Sequence, residues 1–111
     1  MPSESSPPVA DGTALLHNLL DRAIVIGASG LEFRVSGEVF ATVDQWSGRL
    51  DANPQAGKFA LYGAGIRSLS SDSTQFLVKY EGNHESKQGE YLVTIRSYDS
   101  DKIVLEIPPK P

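Results

Sequence analysis

A stripe of leucines near the start of the chain predicts an amphipathic helix. From Leu15 to Ala23, apolar residues recur at i, i+1, i+4, i+5 and i+8, which places them on one face of a helix. Asp11 stands just before this pattern, where its carboxylate can cap the first helical turn. We therefore predict a helix over about residues 12–24. The Ser- and Pro-rich segment 1–10 has the composition of a flexible tail.

After this helix, apolar and polar residues alternate with a period of two, the pattern of half-buried strands. This alternation predicts strands at 31–43, 76–80, 91–98 and 103–107. The β-branched residues 24–26 predict a further strand at 23–28, and the segments on either side of the Gly-Ala-Gly at 63–65 are interpreted as strands at 58–62 and 66–69. Two points stay open: the helix can run on through Ile24, and 31–43 can be one strand bent at Gly37 or a hairpin turning at Ser36-Gly37. We favour the bent strand, since the apolar positions keep the same parity on both sides of Gly37.

No second helix is predicted, so the chain lacks the crossover helices that parallel strands need. We therefore predict an α+β fold in which the N-terminal amphipathic helix is followed by a six- to seven-stranded, mainly antiparallel curved sheet or small barrel. Residues 11–109 form its single domain. The last strand, Ile103–Ile107, is interpreted as an exposed edge strand that ends at Pro108 and Pro109.

Composition narrows the classes of function. The chain has 111 residues, no Cys and a formal net charge of -4. A domain of this size can bury a core without disulfides, and the absence of Cys excludes thiol nucleophiles and cysteine-based metal sites. The negative charge argues against nucleic acid and anionic membranes as partners, because both are bound through basic surfaces. Neither a secretory signal nor a membrane-spanning segment is recognisable, so we expect a cytoplasmic protein.

Groups that could carry catalysis are few. His17 adjoins the leucine stripe and His84 lies in a polar segment, where each is explained as a helix-boundary or a surface residue. The two carboxylates of 99–101 lack the further oxygen ligands of a Ca²⁺ loop and are typical of a turn. The glycines of 63–65 are not followed by the Lys-Ser/Thr pair of a phosphate-binding loop. We therefore expect no cofactor and no metal, and we favour a protein that is not an enzyme.

Two polar loops are the best candidates for a binding surface. The segment 44–57 contains Gly, Asn and Pro, and 81–89 has almost no apolar residue. Trp and Tyr side chains beside such loops are frequent anchors in interfaces, and carboxylates can steer a basic partner toward them. Trp46 and Tyr62 are the candidate anchors. The full set of candidate binding residues is Asp44, Gln45, Trp46, Asp51, Tyr62, Glu81, His84 and Glu85.

These residues predict a non-enzymatic protein-binding module, such as an inhibitor, an immunity-type protein, an adaptor or an assembly subunit. Its partner would be a protein with a basic surface. An alternative is a small-ligand-binding or enzymatic domain with an apolar pocket between the helix and the sheet. Self-association into a homo-oligomer is compatible with either function.

A second alternative comes from a resemblance. A helix leading into a first strand, a Gly-containing turn and a long bent strand ending in Asp44-Gln45-Trp46 resembles the start of an Sm-like domain. The bacterial Sm-like RNA chaperones have a similar Gly-led strand with an Asp-Gln-aromatic turn, and 62–69 is similar to their closing strands. The resemblance covers residues 13–69, and the family's His-containing closing motif is absent. It implies a ring of identical subunits that binds uridine-rich RNA near Gln45 and Trp46.

Overall fold

The structure, a computed structural model, describes residues 8–50, 55–71 and 73–109, and of residues 8–12 and 56 it describes the backbone alone. Within these residues the chain forms two helices and six strands. The helices are α1 (Pro8–Ile26) and α2 (Ala56–Ser70). The strands are β1 (Gly30–Arg34), β2 (Val39–Val43), β3 (Trp46–Arg49), β4 (Gln75–Tyr80), β5 (Gly89–Tyr98) and β6 (Lys102–Glu106).

All six strands belong to one antiparallel sheet in the order β3-β2-β1-β6-β5-β4. Two consecutive three-stranded meanders meet where β1 pairs with β6, and Leu31 lies opposite Leu105 at this junction. Among the described residues β3 does not pair with β4, so the sheet is open and not closed into a barrel. The predicted α+β fold with an antiparallel sheet is confirmed. The interpretation of 103–107 as an edge strand is wrong, because β6 lies between β1 and β5.

Both helices pack on one face of the sheet, here called the inner face, and bury the core against it. The leucine stripe of α1 is buried, and Leu16 and Leu20 are fully inaccessible to solvent. Burial of one such side chain contributes about 1.5–3 kcal/mol, which explains why α1 docks on the sheet. In β4 exposed and buried residues alternate, so every second side chain faces the helices. The opposite face, here called the outer face, is covered by no described element.

The strands of the second half agree with the sequence pattern. The strands predicted at 76–80, 91–98 and 103–107 correspond to β4, β5 and β6. The polar segment 81–89 is the loop between β4 and β5, and it contains a short 3₁₀ turn at Glu85–Lys87. The regular alternation fails only late in β5, where a bulge shifts the register against β6.

The prediction of strands at 58–62 and 66–69 is wrong, because this segment is α2. Its apolar residues recur at three- and four-residue spacing, which is helical, and they lie toward the core: Phe59, Tyr62, Ile66 and Leu69. The small residues 63–65 predict a bend, but in the structure Gly63 allows α2 to approach the sheet closely. A Cβ added at Gly63 would lie 2.8 Å from the Tyr98 hydroxyl oxygen.

The strand predicted at 23–28 is also wrong, because α1 continues through Ile26. The β-branched residues that favoured a strand form the last helical turn, where burial of Ile24 outweighs their weak helix propensity. Gly27 ends the helix with a φ of 78°, a left-handed conformation in which glycine is common.

The favoured interpretation of 31–43 as one bent strand is wrong, and the hairpin alternative holds. Phe33 lies opposite Val39 in the antiparallel pair of β1 and β2. Gly37 adopts a φ of 96°, and its N–H donates to the Arg34 carbonyl at 2.8 Å to close the turn. Phe33 and Val39 are six positions apart in the sequence. Because six is even, buried residues fall on odd-numbered positions on both sides of the turn, as they would in one bent strand. The spacing of the apolar residues therefore does not distinguish a hairpin from a bent strand.

The resemblance to an Sm-like domain loses its structural basis. In the described residues the segment that resembles the family's long bent strand is the hairpin of β1 and β2, and the segment similar to its closing strands lies in α2. The structure therefore does not support an Sm-like fold or the RNA-binding ring that this resemblance implied.

Candidate functional site

The hairpin from Val43 to Arg49, here called the β3 hairpin, joins β2 to the edge strand β3. Val43 lies opposite Trp46, which leaves Asp44 and Gln45 as a two-residue turn. Asp44 has a φ of 55°, and the turns that suit two-residue hairpins have a positive φ at this position. The turn presents Asp44, Gln45 and Trp46 together at one corner of the sheet, and all three are exposed.

Trp46 is the only tryptophan of the chain and is 80% exposed. Its register with Val43 places it on the inner side of the sheet, but all four residues of β3 are exposed, so the helices do not cover this strand. A tryptophan ring can bury roughly 150–250 Å² of surface, and here most of that surface remains in water. Because the fold gains little burial from it, Trp46 is the strongest candidate for contact with a partner.

The second notable feature of β3 is its free edge. One side of β3 pairs with β2, and within the described ranges the other side has no partner. The Leu50 N–H donates to the Val39 carbonyl at 2.7 Å. Along an antiparallel strand the backbone groups of successive residues point alternately to its two sides, so the residues two and four positions before Leu50 also direct their N–H and C=O groups to β2. Ser47 and Arg49 therefore direct their backbone N–H and C=O groups away from the sheet. No lysine, proline or bulge protects this edge.

The far end of the hairpin is tied to α1. The Arg22 guanidinium donates to the Leu50 carbonyl at 2.8 Å. A surface cavity of about 400 Å³ lies beside this contact, and Val25, Ile26 and Leu50 contribute to its lining. Leu50 packs partly buried against the core. The inner side of the hairpin is thus anchored at Leu50 and open at Trp46.

The second predicted loop, 81–89, is held by hydrogen bonds of its own. The His84 backbone N–H donates to the Tyr80 hydroxyl at 3.3 Å, and the Gln88 side-chain amide donates to the Gly82 carbonyl at 2.9 Å. The first bond ties the middle of the loop to the end of β4, and the second joins the end of the loop to its beginning. The sequence-predicted residues of this loop are all exposed: Glu81, His84 and Glu85.

Strand direction places parts of both predicted loops at the same end of the sheet. The turn 44–45 follows β2 and the loop 81–88 follows β4, and these two strands run in the same direction. β1 and β6 lie between β2 and β5, so about 14 Å separates the two hairpins in a flat sheet. The chain leaves β3 from the opposite end at Leu50, so the predicted loop 44–57 belongs to two different surfaces.

Two residues of the predicted site are not found with the others. Tyr62 lies in α2, is 1% exposed and packs its ring 5.1 Å from that of Phe33, so it belongs to the core and is not offered to a partner. Asp51 lies outside the described residues. The sequence prediction missed Ser47 and Arg49, because four alternating residues are a weak strand signal and the turn lacks the usual Asn-Gly or Asp-Gly.

The chemistry of the hairpin is that of an aromatic ring and of free backbone groups. Where side chains are described, no three His, Asp or Glu residues lie close enough together to hold a metal ion. Burial raises the pKa of Asp21 on α1, and His17 opposes this shift. Burial also raises the pKa of Tyr91, with a smaller contribution from Tyr80. None of these groups belongs to the β3 hairpin.

The outer face of the sheet is a second exposed surface. Leu77, which is 60% exposed, lies opposite Leu92 across β4 and β5. The Arg34 guanidinium lies 4.2 Å from the centre of the Phe40 ring and covers it. Two ion pairs lie between the apolar side chains of this face: Arg34 with Glu32 at 2.6 Å, and Arg96 with Glu106 at 2.5 Å. Its apolar side chains are therefore scattered, which is common on the surface of soluble domains.

Comparison with known proteins adds a structural likeness. No family model and no curated protein matches the chain. The structure is similar to that of the Legionella pneumophila ATPase DotB, with a TM-score of 0.57 at 17% sequence identity. The likeness covers 98% of this chain and 31% of the DotB chain, so this chain spans just under a third of that protein. At this identity the likeness concerns the fold alone. Neither described helix is long and apolar enough to cross a membrane.

Proposed function

We propose that this chain is a non-enzymatic protein-binding domain whose partner engages the β3 hairpin, with Trp46 as the anchor. The observation that carries the proposal is the 80% exposure of the only tryptophan, on a strand whose outer edge has no partner in the described chain. Tryptophan is enriched at the energetic centre of interfaces, where removal of one such ring costs about 2 kcal/mol or more of binding free energy.

The free edge supports the same function. The outward N–H and C=O groups of Ser47 and Arg49 can accept an extended segment as an additional strand, so backbone hydrogen bonds would add to the contact of Trp46. Asp44, Glu81 and Glu85 lie at the same end of the sheet and are exposed. Their charges would accelerate association with a basic partner and would make the association rate fall with added salt.

The likeness to DotB supports a role as one domain of a larger system. It extends over nearly all of this chain and under a third of an ATPase. The sequence of this chain contains no Gly-Lys-Ser/Thr phosphate-binding motif. We therefore assign to it binding and positioning of a partner, and not the hydrolysis of ATP.

Affinity capture tests this function. The tagged chain is exposed to an extract of its native organism and, separately, to the untagged chain, in parallel with the variants Trp46→Ala and Leu77→Ala. Leu77 is a matched control, since it is an exposed apolar residue on the outer face and at the other edge of the sheet. We expect the wild type and Leu77→Ala to retain the same protein, and Trp46→Ala to retain at least about tenfold less.

Circular dichroism spectra of the three proteins establish that each is folded. Equal retention by Trp46→Ala and Leu77→Ala would mean that the β3 hairpin is not the binding surface, and the proposal would be wrong.

A further inference from the structure

The geometry of the β3 edge points to its partner, and we propose that this partner is a second copy of the chain. Two β3 strands would pair antiparallel about a two-fold axis at Gly48 and join the two six-stranded sheets. This inference rests on the proposed function, because it names the occupant of the same hairpin. It follows from three properties of β3, namely its faces, its outward backbone groups and its glycine.

The faces of the sheet restrict the register. Residues that lie opposite each other across an antiparallel pair share one face, and successive residues alternate between faces. Trp46, Gly48 and Leu50 lie on the inner side of β3, and Ser47 and Arg49 lie on the outer side. If the helices of both copies stay on the same face of the joined sheet, only registers that match inner with inner are allowed.

Among these registers, the one centred on Gly48 uses every free backbone group of β3. It places Ser47 opposite Arg49 of the second copy, and the two-fold axis repeats this pair. Each pair exchanges two hydrogen bonds, so all outward N–H and C=O groups of Ser47 and Arg49 in both copies become bonded. The register centred on Ser47 leaves Arg49 opposite the turn residue Gln45, and its backbone groups lose regular partners.

The side chains of the inner face fit the same register. Trp46 comes to lie opposite Leu50 of the second copy, which is half-buried against its own core. This pair would shield both the 80% exposed ring and the remaining exposed surface of Leu50. Gly48 lies on the axis in a non-hydrogen-bonded pair, where the two Cα atoms approach to about 4.5 Å. Because glycine has no side chain, the two Trp46 rings can close over this position.

The other free edge is less suited to pairing. β4 carries Lys79 among its exposed residues, and a charged edge resists strand addition. The Lys79 ammonium also lies 3.2 Å from the Glu81 carboxylate, which is already an ion pair at this end of β4. In contrast, the first three residues of β3 are uncharged, and its one charged residue is Arg49 at the end of the strand.

Two four-residue strands with one tryptophan each form less surface than the roughly 1,200–2,000 Å² of a stable interface. We therefore expect a weak dimer that forms and dissociates with concentration. Sedimentation velocity over roughly a hundredfold range of protein concentration measures the change of mass from monomer toward dimer. The emission of Trp46 gives an independent readout, since it is the only tryptophan and should shift to the blue as the dimer forms.

A pair of variants at Ser47 tests whether the edge is the interface. Ser47→Pro removes an N–H that points away from the sheet, so the hairpin can still form while each pair of Ser47 with Arg49 of the other copy loses one of its two hydrogen bonds. Ser47→Val is the control, because it keeps the N–H at the same position. We expect Ser47→Pro to raise the dissociation constant about tenfold or more, and Ser47→Val to leave it near the wild-type value.

A second pair tests the register. A Cβ added at Gly48 meets nothing within 4 Å in the single chain, so Gly48→Asp and Gly48→Lys should both fold. Each places like charges opposite each other on the two-fold axis and should abolish self-association. An equimolar mixture of the two variants places Asp opposite Lys and should restore the dimer. Gly48→Ala, which adds no charge, should weaken the dimer far less than either charged variant.

The outcomes separate this inference from the proposed function. A wild-type chain that stays monomeric, while Trp46→Ala loses a different captured protein, overturns the dimer and leaves the protein-binding function standing. A monomeric chain whose capture does not depend on Trp46 overturns both. A dimer unaffected by Ser47→Pro excludes the β3 edge, and a mixture of charged Gly48 variants that stays monomeric excludes the Gly48-centred register.

Discussion

At the scale of single residues, Trp46 and Tyr62 have opposite roles although both are aromatic residues beside polar segments. Trp46 is 80% exposed on β3, whereas Tyr62 is 1% exposed and contacts Phe33 in the core. Residue type and neighbours predict an anchor in both cases. The helical conformation around Tyr62 turns its side chain inward, whereas the sequence pattern predicts a strand at this position.

Alanine substitutions separate these two roles. Tyr62→Ala removes a buried ring and should lower the free energy of unfolding by about 3–5 kcal/mol, a large share of the ~5–15 kcal/mol that stabilises a domain. Trp46→Ala should change it by less than about 0.5 kcal/mol. Urea denaturation in dilute solution, followed by circular dichroism, measures both. Tyr62→Phe keeps the ring and serves as control. A loss from Trp46→Ala as large as that from Tyr62→Ala would mean that Trp46 supports the fold itself.

At the scale of elements, α2 illustrates how two periodicities compete. The glycines at 63 and 65, between two short apolar segments, are typical of strands separated by a bend. In the structure the same small residues form the contact surface of a helix, and Gly63 faces the Tyr98 hydroxyl. The guanidinium of Arg67, one helical turn later, lies 4.1 Å from the centre of the Tyr98 ring. The close approach of two segments distant in sequence therefore explains the glycine.

Valine substitutions in α2 test this explanation. Gly63→Val places a branched side chain against Tyr98 and should lower the free energy of unfolding by about 1–3 kcal/mol. Gly57→Val is the matched control in the same helix, since a Cβ at Gly57 meets nothing within 4 Å. Valine has a higher helix propensity than glycine, so Gly57→Val should be neutral or slightly stabilising. Equal effects at both positions, measured by urea denaturation, would contradict a packing role for Gly63.

A carboxylate of α1 makes the stability of the fold depend on pH. Burial raises the pKa of Asp21 in the folded state above its ordinary value of 3.8, and the nearby His17 opposes this shift. The folded state therefore binds the proton more tightly than the unfolded state. The stabilising contribution is complete below the unfolded pKa and is lost as the pH rises through the folded pKa.

Asp21→Asn should therefore stabilise the protein near neutral pH and have little effect at about pH 3, where the carboxyl of the wild type is protonated in both states. Thermal denaturation of the wild type and the variant at both pH values measures this difference. Asp101→Asn removes an exposed carboxylate in the turn before β6 and is the control. A stabilisation of the Asp21 variant that is equally large at low pH would show that charge is not its cause.

At the scale of the whole molecule, the sheet depends on one long-range pairing. β1 and β6 are the first and last strands along the chain, and their contact joins the two meanders at Leu31 and Leu105. The sequence pattern predicts most of these strands but contains no signal for their order. The order in turn determines that β6 is central and that β3 is an edge.

Hydrogen exchange should reproduce this order. Backbone amides of β1 and β6 lie in the centre of the sheet and should exchange only through global unfolding. The Ser47 and Arg49 amides face outward and should exchange rapidly in dilute solution. Exchange measured by nuclear magnetic resonance at low and high protein concentration compares the two groups. Slow exchange of Ser47 at all concentrations would mean that the edge of β3 is covered within a single chain.

The sequence by itself determined the leucine-lined part of α1, the strands β4, β5 and β6, the antiparallel α+β class and the exclusion of cysteine chemistry. These features depend on residue content and on short periodicities, which reflect the local geometry of helices and strands. The tertiary structure alone decided that 56–70 is a helix, that β6 is central, and that Trp46 is exposed while Tyr62 is buried. Each of these depends on contacts between residues far apart in the chain, and local periodicity does not encode such contacts.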